Sequence, residues 1–115
     1  MAERTIFDKV LSGEIPSTSV YEDDAVYAFN DINPQAPVHV LVIPRTRFES
    51  VADLTDASPE AIGAFMRGVA RTAQKLGLEK AGYRVVFNTG ADAQQSVAYL
   101  HAHILAGRKL GWPPG

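Results

Sequence analysis

The stretch from Ser58-Pro59-Glu60 to Gly77 constrains this chain most. A serine that can cap, a proline in the first turn and an acid at the positive end of the helix dipole mark a helix start, and Gly77 marks its stop. Between them Ile62, Phe65, Met66, Val69, Ala73 and Leu76 trace one apolar stripe. An amphipathic helix buries such a stripe against neighbouring elements, and most of the other candidate elements read as strands.

Ahead of that helix, Thr5 caps a short helix over Ile6–Leu11, with Gly13 as its stop. Ser19–Glu22 and Ala25–Asn30 read as a hairpin across Asp23 and Asp24, with Val26 and Ala28 on one face and Tyr27 and Phe29 on the other. Asp31 to Pro37, D-I-N-P-Q-A-P, is a shaped loop, because its prolines lack donors and restrict the residues before them. His39–Ile43 resumes as a strand with His39, Leu41 and Ile43 on one face and Val40 and Val42 on the other. Beyond the long helix, Arg84–Thr89 and Val97–Ala106 are strand candidates separated by the turn-like Gly90–Gln95. The order is helix, three strands, long helix, two strands, which describes an α+β domain with an antiparallel sheet.

The 115 residues show no composition break and no repeat, so one domain spans 1–115. An apolar fraction of 46% and a charged fraction of 21% are ordinary for a folded domain and exclude disordered and fibrous classes. A net charge of −2 lacks the basic footprint of a general nucleic-acid or anionic-membrane binder, while leaving room for a small anionic ligand. With a polar start and no bilayer-length apolar run, the expectation is a cytoplasmic protein. Cysteine is absent, which removes disulfides, thiolate nucleophiles and cysteine zinc sites.

The chemistry therefore falls to His39, His101 and His103. One histidine in a half-buried strand is more often a packed residue than a catalyst. An H-x-H pair is different: in one strand Tyr99, His101, His103 and Leu105 share a face, and two adjacent imidazoles are costly to bury without partners. Three imidazoles can hold zinc, but carboxylates near them in sequence are few, so no metal and no other cofactor is expected. Phosphoryl chemistry suits the neighbourhood better, with one imidazole attacking phosphorus and others donating to its oxygens, joined by neutral donors from Asn88, Gln95 and Ser96. Arg45, Arg47, Arg108 and Lys109 are further phosphate candidates, though exposed basic residues are common.

Q-S-V-A-Y-L-H-A-H-I-L from Gln95 to Leu105 resembles the H-x-H-x-H signature of histidine triad (HIT) proteins, with Tyr99 in place of the first histidine. F-N-D-I-N-P-Q-A-P-V-H-V-L-V-I-P from Phe29 to Pro44 and the terminal W-P-P-G are similar to the Hint-type nucleoside phosphoramidase branch. The resemblance implies a HIT-like fold: a five-stranded antiparallel sheet with one long and one short helix, continued into ten strands across a homodimer. It implies hydrolysis of the P–N bond of purine nucleoside 5′-phosphoramidates through a covalent nucleotidyl-histidine. It makes His101 the nucleophile and His103 a phosphate contact, with His39 completing the polar network and Ser96 assisting the departing amine. Asp31 would hold the ribose, Ile32, Phe7, Ile6 and Leu41 would flank the base, and Asn88, Gln95 and Ser96 would meet the phosphate. Tyr99 would stand in the substrate network, and Trp112 would help form the site across the dimer. The alternatives are a catalytically weak nucleotide-binding or regulatory protein and a dinucleoside polyphosphate hydrolase. A phenol with an ordinary pKa near 10 cannot shuttle protons at neutral pH as imidazole does.

Overall fold

A computed structural model describes residues 3–115; Met1 and Ala2 of the polar start lie outside it. The elements are α1 (Ile6–Leu11), β1 (Ser19–Glu22), β2 (Val26–Asn30), β3 (Val38–Pro44), a 3-10 helix (Val51–Asp56), α2 (Pro59–Lys75), β4 (Arg84–Val86) and β5 (Ala102–Ala106). The strands form one antiparallel sheet in the order β1-β2-β3-β5-β4. This is the α+β HIT-like fold expected from the sequence, within a single chain. Among the described residues no helix is long and apolar enough to cross a membrane.

Strand alternation divides the interior in two. Val26, Ala28, Val40, Val42, Ala102 and Ile104 face α2, which presents Phe65, Val69 and Ala73 to them. The opposite face carries Phe29, Leu41 and Ile43, packed with Phe7 and Val10 of α1 and with Tyr99. Phe65 and Val69 are each 2% exposed, and burying a side chain of that kind stabilises by roughly 2–3 kcal/mol. Close approach of α2 to β2 requires Gly68, because a Cβ there would stand 2.5 Å from both Val26 methyl groups.

Both helices begin as their caps dictate. The Thr5 side chain accepts from the Asp8 amide while Asp8 accepts from the Thr5 amide, and Ser58 accepts from the Ala61 amide. β3 runs one residue further at each end than expected, over Val38–Pro44, and other elements also differ. β2 starts at Val26 because Asp23 Oδ1 accepts from the amides of Ala25 and Val26, holding Ala25 in the turn. β4 stops at Val86 rather than Thr89, where Asn88 Nδ2 donates to the Ala93 carbonyl and closes a loop. β5 starts at Ala102 rather than Val97: the Leu100 amide donates to the Phe48 carbonyl and the Tyr99 amide folds back on Val97. The 3-10 helix over Val51–Asp56 was not foreseen, although Ser50 caps it onto the Ala52 amide.

Candidate active site

β3 and β5 meet in a register that opposes Leu41 to His103 and His39 to Leu105. His39 and His103 are therefore diagonal neighbours on one face, within reach of each other's rings. His101 adjoins His103 with ring centroids 5.0 Å apart, and Phe7 of α1 meets the His101 ring edge-on at 4.9 Å. His101 and His103 line a cavity of about 570 Å³ between α1, β2, β3 and the segment before β5.

Hydrogen bonds to main-chain groups set the tautomers. His101 Nδ1 lies 2.7 Å from the Tyr99 carbonyl, which can only accept, so Nδ1 carries the proton and Nε2 is left with its lone pair. His39 Nδ1 lies 3.0 Å from the Gln35 amide, which can only donate, so the His39 proton sits on Nε2. That Nε2 is 2.9 Å from His103 Nδ1 and donates to it, which places the His103 proton on Nε2. The site thus pairs one imidazole lone pair with one imidazole N–H.

Burial disfavours the charged form of His101 and His103. It pushes His101 below the usual histidine range, opposed by the Tyr99 carbonyl and the Asp31 charge. His103 is pushed down to about 4 by burial and then by the neighbouring His101 and His39. Asp31 Oδ1 accepts from the Asn33 amide and Oδ2 lies 3.4 Å from His39 Nε2, so the D-I-N-P loop holds its carboxylate beside the imidazoles.

The structure places eight of the expected site residues around the cavity: Ile6, Phe7, Asp31, Ile32, Leu41, Ser96, His101 and His103. His39 stands behind His103 and acts through it. The other candidates are placed elsewhere in this chain. The Asn88 amide nitrogen closes its own loop. Gln95 accepts from the Gly90 amide and donates to the carbonyls of Glu49 and Val97, so both ends of its side chain serve the backbone. Tyr99 is 1% exposed and bonds the Pro44 carbonyl instead of facing the cavity. Trp112 is 80% exposed and stands over Arg84, outside this chain's cavity lining. Arg45, Arg47 and Arg108 donate to protein carboxylates or carbonyls.

Several lining residues were not singled out from the sequence. Phe29 lies opposite Leu41 and could have been found once β2 was paired with β3. Val10, Ile15 and Thr18 enter the lining through the packing of α1 and the chain after it, for which no local signal exists.

Donor atoms of Asp31, His39 and His103 also lie within 4.8 Å of one another. As arranged, they do not fit a resident zinc ion. His39 Nε2 and His103 Nδ1 share a proton at 2.9 Å, whereas two nitrogens on one tetrahedral zinc each point a lone pair at the ion and lie about 3.3 Å apart.

Comparison with known proteins identifies the family. The chain is 48% identical to the 14 kDa zinc-binding protein of Zea mays, over 96% of this chain and 88% of the relative. It is 44% identical to the purine nucleoside phosphoramidase of Escherichia coli strain K12, over 96% and 93%. A histidine triad protein from Clostridium difficile superposes with a TM-score of 0.87 at 46% identity, covering 96% of this chain and 97% of that one. A HIT family hydrolase from Legionella pneumophila Philadelphia 1 gives a TM-score of 0.90 at 41% identity, covering 97% and 100%. The HIT domain family model matches residues 12–110. With sequence and fold in agreement over nearly the whole chain, the protein belongs to the histidine triad (HIT) family.

Proposed function

We propose that this protein is a hydrolase that cleaves the P–N bond of purine nucleoside 5′-phosphoramidates through a covalent nucleotidyl-His101. The observation that carries the proposal is the commitment of His101 Nδ1–H to the Tyr99 carbonyl, which leaves Nε2 as an unprotonated nucleophile beside an apolar cavity. The relatives named as a purine nucleoside phosphoramidase and a HIT family hydrolase support it.

The base lies among Ile6, Phe7, Ile32 and Leu41, and the ribose hydroxyls donate to Asp31. His101 Nε2 attacks the α-phosphorus, the P–N bond breaks, and the amine departs with its electron pair and takes a proton from solvent, relayed through the Ser96 hydroxyl, which is itself reprotonated. The positive charge gained by the imidazole is stabilised by the Tyr99 carbonyl on Nδ1–H. His103 Nε2–H donates to a non-bridging oxygen as charge builds there, an orientation held by His39. Water then attacks phosphorus and gives up a proton to solvent, the P–Nε2 bond breaks with its electron pair returning to the imidazole, and the nucleoside monophosphate leaves with His101 restored. No metal takes part in this route.

A homodimer belongs to the same proposal. The three-residue edge strand β4, the 43% exposed Met66 on α2 and the 80% exposed Trp112 lie outside the cavity lining and suit contact with a second copy. Light scattering tests it: a monomer at working concentration would remove the dimer and the role across it expected for Trp112.

The reaction is tested with an adenosine 5′-phosphoramidate bearing a fluorogenic amine, comparing wild type with His101→Ala. Release by wild type alone, with an adenylylated His101 peptide trapped at low pH, is the expected result. Tight nucleoside monophosphate binding without release would instead identify a binding protein, the reading favoured by the absence of a third motif histidine.

A further inference from the structure

Tyr99 occupies the motif position where a histidine was expected, and no step above uses its side chain. It is nonetheless tied on three sides. Its phenol donates to the Pro44 carbonyl at 2.6 Å, its amide donates to the Val97 carbonyl at 2.8 Å, and its carbonyl accepts from His101 Nδ1 at 2.7 Å. The third tie sets the tautomer of the nucleophile.

The location of this residue makes the first tie consequential. Tyr99 precedes β5, so no sheet ladder determines which way its carbonyl points. Pro44, by contrast, is the last residue of β3, the strand paired on both sides by β2 and β5. The phenol therefore fastens an irregular segment to the end of an interior strand, at a residue held in register with Val26 of β2. Packing reinforces it: the Phe7 ring meets both Tyr99 and His101 edge-on, the Arg47 guanidinium stands 5.5 Å from the Tyr99 ring centroid, and Arg47 Nη2 donates to the Ala98 carbonyl. Burial, followed by the charge of Asp8, pushes the phenol up to about 12, so it stays protonated and keeps donating wherever the protein is folded near neutrality.

We infer that Tyr99 is a positioning residue: its phenol-to-Pro44 hydrogen bond fixes the main-chain carbonyl that holds His101 with Nε2 unprotonated toward the cavity. The side chain transfers no proton during the reaction and touches no substrate. Its effect on turnover rests on the function proposed above; its effect on the His101 tautomer does not.

Tyr99→Phe deletes only the hydroxyl. The expected result is a fall in kcat of about tenfold, the worth of one well-made hydrogen bond carried into the orientation of the attacking group. KM and calorimetric affinity for adenosine monophosphate should stay within about twofold, because Asp31 and the apolar lining are untouched. The imidazole 15N shifts of His101 should move from a single Nδ1–H tautomer in the wild type to a mixture in the variant. Unchanged kcat together with an unchanged His101 spectrum would overturn the inference, as would a loss confined to KM. If wild type releases no amine from any phosphoramidate, the proposed reaction fails while the 15N comparison still decides the role of Tyr99. If Tyr99→Phe does not fold, the wild type decides: a slowly exchanging Tyr99 hydroxyl proton and a single Nδ1–H tautomer are required, and absence of either refutes it.

Discussion

Acid should weaken this fold through His103, and the effect can be isolated. In an unfolded chain His103 takes up its proton near pH 6.5, while in the fold burial and the neighbouring His101 and His39 push that event down to about 4. Between those values the unfolded state binds more protons, so the contribution of this group is complete above about pH 6.5 and is lost progressively as pH falls toward 4. A displacement of that size corresponds to about 3 kcal/mol in total, of which about 2 kcal/mol falls between pH 7 and pH 5. Because the His103 ring is partly exposed, solvent screening reduces this to about 1–2 kcal/mol. His103→Asn removes the titration while leaving an oxygen to accept from His39 Nε2. Urea unfolding at one protein concentration should show the wild type losing about 1–2 kcal/mol more than the variant from pH 7 to pH 5. Asp8 and Asp23, both held below the usual carboxylate range, are lost in the same direction at lower pH and are common to the two proteins. Parallel pH dependences for wild type and variant would refute the burial argument.

Gly68→Ala should destabilise by about 1–3 kcal/mol in urea, because a Cβ at 2.5 Å from the Val26 methyls outweighs the roughly 1 kcal/mol gained in helix propensity; an equally or more stable variant would show that α2 can shift off β2. Asp31→Ala should weaken nucleoside monophosphate binding by about tenfold, and a nucleotide lacking both ribose hydroxyls should bind the two proteins alike; calorimetry reads both, and equal loss for the two nucleotides would place Asp31 away from the ribose. Extended dialysis against a chelator should leave phosphoramidate turnover unchanged, whereas loss reversed by added zinc would make the Asp31, His39 and His103 group a metal site.

Periodicity alone determined a good deal about this protein. The stripe from Ile62 to Leu76 and the alternation in Tyr27–Phe29 and His39–Ile43 assigned the helix and both sheet faces, because each side chain's direction follows from local backbone geometry. The caps at Thr5 and Ser58 were legible for the same reason: a cap involves residues within one turn. The motif likewise put His101 and His103 on one side of the chain. Main-chain partners distant in sequence decided the rest. The end of β4, the start of β5 and the fates of Asn88 and Gln95 depend on loop hydrogen bonds that no local pattern announces. Which nitrogen of each histidine bears its proton depends on the Gln35 amide, the Tyr99 carbonyl and the β3–β5 register. Tyr99 reads in the sequence as a missing catalyst and stands in the fold as a buried anchor. The sequence names the groups that can react, and the tertiary contacts select their protonation and direction, because an imidazole takes its tautomer from whatever donor or acceptor the fold places against it.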